Sequence, residues 1–185
     1  MEPKTLARYS VPAQALHWLT AILVLVAFFY GQGGTEAQVY SAAQDFERQL
    51  HETLGLGVLA LTALRLLWRA VDQHPEPPPL ARWIRVSAGV VQAGLYVLLL
   101  AVPLTAISGA WLEGHPLTLL PGVTVVPPWA ESHALGATIA EVHTWLGDAI
   151  LWLAGVHAAA GLFHHHVLKD GVLRSMLPGW AAGNR

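Results

Sequence analysis

The chain has 185 residues, 54% of them hydrophobic and only 12% charged, with a formal net charge of −2. This composition and a mean hydropathy of +0.46 exclude a disordered chain and an ordinary water-soluble enzyme. The ten lysines and arginines form no basic stripe, so no nucleic-acid partner is expected. Because cysteine is absent, disulfides, thiolate nucleophiles, iron–sulfur clusters and covalent c-type haem attachment are excluded.

Four stretches are apolar and long enough to cross a bilayer, which takes about 20 residues per helix. The predicted helices cover about residues 13–31, 48–69, 86–111 and 140–167. The first is too long for a signal-peptide core and lacks a small-residue cleavage site, so we expect it to be retained. The second contains Glu52 and Arg65, but its centre is apolar and the arginine can extend toward the head groups. The sequence therefore predicts one all-α domain, residues 1–185, that forms an integral membrane four-helix bundle surrounded by lipid.

The basic residues predict the orientation of this bundle. Nine of the ten fall at one end, and Arg48 alone lies at the other. The nine are Lys4, Arg8, Arg65, Arg69, Arg82, Arg85, Lys169, Arg174 and Arg185. The positive-inside rule then places both termini and the Pro-rich loop from His74 to Pro79 in the cytoplasm. The loop from Glu113 to Ser132 is predicted outside, where it lies in the interface or covers the mouth of the bundle.

Four of the ten histidines lie within or beside the predicted helices, and ionisable groups there suggest function. Successive helices alternate in direction, so His17 lies near the cytoplasmic side and His51 near the outer side. His143 and His157 are 14 residues apart on the fourth helix, which is about 21 Å along its axis and within about 40° of one face. The histidines therefore pair by depth, His17 with His157 and His51 with His143.

Two facing imidazoles with no free carboxylate or thiol nearby suit the two axial positions of a haem iron. The neighbours four residues after the four histidines are small, which leaves room for a porphyrin against each helix. They are Ala21, Gly55, Gly147 and Gly161. A proton or metal pathway lined by haem-free histidines is the alternative interpretation of the same pattern.

The other polar groups have simpler interpretations. His74, His115 and His133 are predicted in loops, and the run His164, His165 and His166 is predicted as an exposed cytoplasmic exit. Asp148 near mid-membrane needs a partner or a proton. We expect a local bond from Thr144, and the alternative is a proton route coupled to quinone reduction. Pro103 predicts a kink in the third helix.

Several segments resemble the bacterial cytochrome b561 family, whose members are four-helix di-haem proteins of the inner membrane. They are Ala15–Leu19, His51–Gly55, Val142–Trp145 and Gly155–Ala160, followed by the run from His164 to Asp170. The resemblance covers most of the chain. It implies two haem b groups with His17, His51, His143 and His157 as axial ligands, and a bacterial inner-membrane location. Some members carry histidines in the third helix, where this chain has only Gln92 as a polar residue between Ser87 and Leu95.

The resemblance also implies electron exchange between the quinone pool, with ubiquinone or another quinone as substrate, and a second redox partner. Members include a superoxide oxidase, which passes an electron from superoxide to ubiquinone. The outer side of this chain is acidic, however, with Arg48 the single basic residue there, and this charge would repel an anionic substrate unless Arg48 and backbone dipoles attract it locally. The acidic residues are Glu36, Asp45, Glu47, Glu113 and Glu131.

Haem propionates are anions that need cationic partners. Arg48 is the candidate at the outer haem, and the inner candidates are Arg8, Arg65, Arg69 and Lys169. We therefore expect a membrane electron-transfer cytochrome that passes electrons to or from a quinone, with superoxide oxidation as one form of that activity. Two alternatives stay open: a cytochrome b anchor subunit that serves a periplasmic redox protein, and a haem-free proton or metal transporter.

Overall fold

The computed structural model describes residues 8–31, 33–73, 75 and 80–179. Lys4, His74, Pro79 and Arg185 lie outside these ranges. Within these ranges, four helices are long and apolar enough to cross a membrane: α1 (Val11–Tyr30), α3 (Asp45–Val71), α4 (Arg82–Leu112) and α5 (His133–Phe163). They correspond in order to the four predicted helices. A π-helix, His164–Leu168, continues α5.

The start of α5 differs from the prediction. The helix begins at His133, where the amide of Gly136 donates to the carbonyl of Ser132, rather than near residue 140. The prediction of His133 as a loop residue is therefore wrong. The longer helix places more of the chain against α4, as described below.

Shorter elements fill the connections: α2 (Glu36–Val39), α6 (Val172–Ser175) and an antiparallel hairpin of β1 (Leu117–Leu119) and β2 (Val123–Val125). The described structure is mostly helical, in keeping with the predicted helical bundle, and the short hairpin was not predicted. Residues 123–125 are Val, Thr and Val, which favour extended backbone. Gly122 supplies the positive φ of 98° that the turn between the strands requires.

The four long helices pack as two pairs, α1 on α3 and α4 on α5. A small buried cluster of Val58, Leu99 and Ile150 joins α3, α4 and α5. The α4–α5 pair crosses at small residues: a Cβ on Gly109 would lie 3.2 Å from the amide nitrogen of Ala140, and one on Gly136 2.9 Å from that of Glu113. Such close backbone approach is the usual packing of helices in lipid, where van der Waals contact drives association.

Both described chain ends meet at one end of the bundle, which we call the terminal end. The indole of Trp18 donates to the carbonyl of Met176 at 2.9 Å, and the buried amide of Gln14 donates to the carbonyl of Ser175 at 3.1 Å. The β-hairpin covers the opposite end, called the hairpin end. These contacts tie α6 to α1 and define the two ends of the molecule.

The α4–α5 crossing gives a stability prediction. Gly136→Ala should lower the free energy of unfolding in detergent by about 1–3 kcal/mol, because the added methyl forces two backbones apart. Gly89→Ala is the matched control, since a Cβ at this helical glycine meets nothing within 4 Å. Thermal unfolding followed by circular dichroism measures both, and equal midpoints for the two variants would contradict the packing argument.

Candidate functional site

Two histidines face each other toward the hairpin end. The ring centroids of His51 on α3 and His143 on α5 lie 6.1 Å apart, with the ring planes at 82°. Nδ1 of His51 lies 2.8 Å from the carbonyl oxygen of Ala27, and Nδ1 of His143 lies 2.9 Å from that of Val102. A carbonyl oxygen only accepts, so each Nδ1 carries the proton and each Nε2 keeps its lone pair for a metal.

A second pair lies toward the terminal end. The ring centroids of His17 on α1 and His157 on α5 are 6.2 Å apart, with the planes at 76°. Nδ1 of His17 is buried and has no hydrogen-bond partner among the residues described. Arg65, whose guanidinium lies 5.3 Å from the centroid of the Tyr96 ring, acts electrostatically on both histidines of this pair.

Open space adjoins the first pair. A Cβ added to Gly55 or Gly147, four residues after His51 and His143, would meet nothing within 4 Å. Both glycines and both histidines line a cavity of about 730 Å³, which lies in the size range of cofactor sites. At the second pair Gly161 meets only a methyl of Leu173 at 3.9 Å, and Ala21 is exposed.

This geometry fits a haem iron between each pair of rings. With metal–imidazole bonds of about 2.0 Å, two ligands on opposite sides of one metal have centroids about 6.3 Å apart. Both observed separations lie close to that value. In the described ranges of the chain, no group of three or more His, Asp or Glu residues could hold a bare metal ion. The axial-ligand role of the four histidines stays a prediction.

Gly31, at the C-terminus of α1, was not singled out in the sequence. A Cβ there would lie 2.5 Å from Nδ1 of His51, so a side chain at this position would displace the imidazole. The carbonyls of Ala27 and Val102 were missed as well, because backbone acceptors carry no residue-type signal. Val102 precedes Pro103, so the proline of α4 lies beside the group that orients His143.

Arg48 contacts carboxylates from its own helix. Its guanidinium donates to Glu52 at 2.8 Å and also to Asp45, and it lies over the Tyr40 ring, 5.3 Å from the centroid. Its Nε is buried without a partner among the described residues, and the side chain lines the cavity. Arg48 therefore has one free donor for an anion in the cavity, while its charge is largely balanced by Asp45 and Glu52.

The hairpin is held over the cavity by α3. The carboxylate of Glu52 accepts from the amide of Thr118 at 2.6 Å, and the hydroxyl of Thr53 accepts from the amide of Leu120 at 3.0 Å. The loop from Glu113 to Ser132 therefore folds over the mouth of the bundle. This was one of the two placements predicted for it, the other being in the membrane interface.

A second contact closes the same end. The Tyr40 and His115 rings stack with centroids 3.5 Å apart, and Nε2 of His115 lies 2.7 Å from Glu36. Burial, with the charge of Glu52 as the next cause, raises the pKa of Tyr40 to about 12. Tyr40 is therefore neutral at physiological pH and acts as an aromatic cover over Arg48.

Two predictions about polar groups are wrong. Thr144 donates to the carbonyl of Ala140 at 3.2 Å, as helical threonines commonly do, and not to Asp148. His164 is buried and its Nδ1 lies 2.5 Å from Asp170, so it is not part of an exposed exit, whereas His166 is exposed. His164 is the first residue of the π-helix, and its contact with Asp170 depends on the backbone turn that follows this helix. Lys169 follows the π-helix with a positive φ of 52° and is exposed.

A four-helix membrane bundle that holds two imidazole pairs at two levels defines a class of membrane cytochromes with b-type haem. The chain belongs to the prokaryotic cytochrome b561 family, whose model matches residues 8–179. It is therefore a multi-pass bacterial membrane protein of electron transfer, and b-type haem binding follows from the family.

Three relatives illustrate the range of the similarity. Cytochrome b562 of Cereibacter sphaeroides is 35% identical over 88% of this chain and 90% of its own length. Cytochrome b561 homolog 1 of Escherichia coli is 30% identical over 92% of this chain and 97% of its own length. A probable superoxide oxidase, CybB, of Yersinia pestis is 27% identical over 92% and 96%.

The contacts of the hairpin give a second prediction. Glu52→Ala removes the acceptor of the Thr118 amide and one partner of Arg48, so the hairpin should detach more readily. The loss of a charge-assisted hydrogen bond corresponds to about 1.5–3 kcal/mol, which predicts at least tenfold faster hydrogen exchange at the Thr118 amide. Glu47→Ala, an exposed acidic residue one turn earlier, is the control. Unchanged exchange in Glu52→Ala would show that Glu52 does not hold the hairpin.

Proposed function

We propose that the chain passes electrons across the bilayer between a quinone and a second redox partner, through two bis-histidine haems. His51 and His143 would hold one haem near the hairpin end, and His17 and His157 the other near the terminal end. The observation that supports this most directly is the presence of two imidazole pairs with nearly equal centroid separations of 6.1 and 6.2 Å.

The residues of this chain would do three things for such a cofactor. The carbonyls of Ala27 and Val102 orient the rings of His51 and His143 and raise the basicity of the coordinating nitrogens. The glycines beside the histidines leave the porphyrin its space. When bound, the haem would supply one-electron chemistry, and the paired histidines would hold it.

Basic residues would neutralise the propionates. At the hairpin end the candidate is Arg48, through its unpartnered Nε. At the terminal end the candidates are Arg65, whose guanidinium lies 5.3 Å from the centroid of the Tyr96 ring, and the exposed Lys169. The distribution of lysine and arginine supports a cytoplasmic terminal end in the bacterial inner membrane.

Two donors are supported by different observations. The name of the Yersinia relative, a probable superoxide oxidase, favours superoxide as the donor. The electrostatics favours a neutral quinol or a protein donor, because Arg48, the single basic residue near the hairpin among those described, is engaged by Asp45 and Glu52. The excess of acidic residues at this end would slow the approach of an anion from solution, although the Nε–H of Arg48 stays free inside the cavity.

The haem arrangement is tested by removing one ligand of each pair. His51→Ala and His17→Ala should each lose or perturb one haem and largely spare the other, since the pairs lie on different levels. Pyridine haemochrome stoichiometry and reduced-minus-oxidised spectra measure this. His133→Ala, at the start of α5, is the control and should keep both haems. Colourless wild-type protein after full haem supply would contradict the proposal and support a histidine-lined transporter.

The donor is tested by kinetics in proteoliposomes with the hairpin end outward. We expect quinol-driven reduction of an external acceptor to exceed superoxide-driven quinone reduction, and the latter to fall steeply at low ionic strength because the acidic end repels the anion. Faster superoxide-driven reduction that increases at low salt would reverse this assignment.

A further inference from the structure

The outward face of α5 carries three polar side chains near mid-membrane. Asp148 and Trp152 each lie within about 4 Å of the midpoint of the 36-residue segment His133–Leu168, and Trp145 lies one turn before Asp148. The two tryptophans are 69% and 78% exposed, and Asp148 is exposed as well. In the part of the chain that the structure describes, none of these three side chains has a hydrogen bond or an ion pair. Asp148 also borders the cavity, but it lies about 140° around α5 from His143 and so outside the imidazole pair.

Both residue types are unusual on a face that contacts lipid at this depth. Acidic residues within membrane helices almost always face the interior of a bundle or a partner. Tryptophan concentrates at the membrane surfaces, where its N–H group reaches water. In hydrocarbon, a carboxyl group and two indole N–H groups each lack the hydrogen-bond partner that their burial requires. Because the chain itself offers none, we expect protein to cover this face in the membrane.

The exposed residues of this face follow the spacing of a helix–helix contact. From Trp145 the intervals are three, four, three, four and three residues, as along the seam between two helices packed side by side. We call these exposed residues the α5 seam: Trp145, Asp148, Trp152, Gly155, Ala159 and Leu162. A Cβ on Gly155 would meet nothing within 4 Å, so this glycine packs against no other helix of the chain. Together with Ala159 it would let a second backbone approach closely.

We propose that a second copy of this chain packs against the α5 seam, about a two-fold axis perpendicular to the membrane. Asp148 of each copy would accept a hydrogen bond from an indole of the other. In such a parallel pair the same residues of the two helices lie at the same depth. Trp145 and Trp152 then lie about 4.5 and 6 Å along the axis on either side of Asp148, so each carboxyl group has an indole above and below it.

The choice of a second copy follows from the chemistry of the seam. It carries both an acceptor and donors, so it is complementary to itself, and a two-fold axis makes each contact occur twice. A different subunit that offered one cation would compensate Asp148 but leave both indoles without an acceptor. Glu141 continues the same spacing toward the hairpin end and is exposed. It lies nearer the aqueous boundary, where salt screens the repulsion between two copies. The proposal does not depend on haem.

The contact is tested by cysteine cross-linking, which is simple because the chain has no cysteine of its own. In the holoprotein in liposomes, Ala159→Cys should form a disulfide-linked dimer on addition of an oxidant, seen on a non-reducing gel. Ala15→Cys on α1 is the matched control. Ala15 is exposed and lies two residues from His17, as Ala159 does from His157, so the two positions have similar depth. Equal yields at all ratios of protein to lipid would indicate random collision and overturn the proposal.

The hydrogen bonds are tested by energy transfer between copies labelled with dyes at Ala15→Cys, as lipid dilutes the protein. Asp148→Leu removes the acceptor and should raise the dissociation constant of the dimer by about tenfold or more. Asp148→Asn keeps an acceptor oxygen and should retain most of the association. Protein without Asp148 substitutions that stays monomeric at every dilution, or Asp148→Leu that associates equally well, overturns the proposal.

Two further measurements separate the possible failures. If Asp148→Leu does not fold, the cross-linking of Ala159→Cys decides, because it leaves the three polar side chains unchanged. Cross-links from Ala159→Cys to other membrane proteins, with none between copies, would overturn the second copy as the occupant. Haem content is measured in the same samples. A dimer without haem would contradict the proposed electron transfer and support the contact, whereas a monomer with two haems would do the reverse.

Discussion

The constraint behind this structure is that an imidazole in the hydrocarbon layer needs a partner for each of its nitrogens. In His51 and His143 the Nδ1–H is satisfied by a backbone carbonyl, which leaves Nε2 for a metal, whereas Nδ1 of His17 has no partner among the described residues. The rest of the bundle follows from this requirement. The glycines beside the histidines leave space for a flat ligand. Helix α5 carries two histidines 14 residues apart, so that it supplies one histidine to each pair. The helices stay in two pairs with space between them.

At the hairpin end, the space between the two helix pairs is covered by loops and the β-hairpin rather than by contacts between the long helices. Glu52 and Thr53, immediately after His51, hold the backbone of the hairpin, and the stacked Tyr40 and His115 join the two loops. Arg48 lies between the carboxylates of Asp45 and Glu52 on its own helix, and Tyr40 covers its guanidinium. A single short stretch of α3 therefore provides a proposed ligand, the attachment of the cover and the balance of charge. Because one stretch of α3 has all three roles, a substitution there should affect both the attachment of the hairpin and the surroundings of the proposed cofactor.

The sequence predicted the parts that depend on apolar length and helical spacing. Four helices and the matching depths of the histidines follow from runs of apolar residues and a 14-residue interval, and the structure places His17 beside His157 and His51 beside His143. It did not predict the hairpin, whose short strands carry too few residues for a periodic signal. The early start of α5, the inward turn of His164 and the carbonyls of Ala27 and Val102 depend on backbone geometry. Arg48 was identified by charge alone, and its pairing with Asp45 and Glu52 depends on side-chain conformation.

The division into two helix pairs has a consequence for biogenesis. Each proposed iron would join a histidine of the α1–α3 pair to a histidine of the α4–α5 pair. Each pair consists of two successive membrane helices, and the buried cluster that links the pairs is small. Cofactor insertion would then be the event that locks the two halves together. Maturation in the cell would depend on haem supply, and halves that lack it would be the form exposed to membrane proteases.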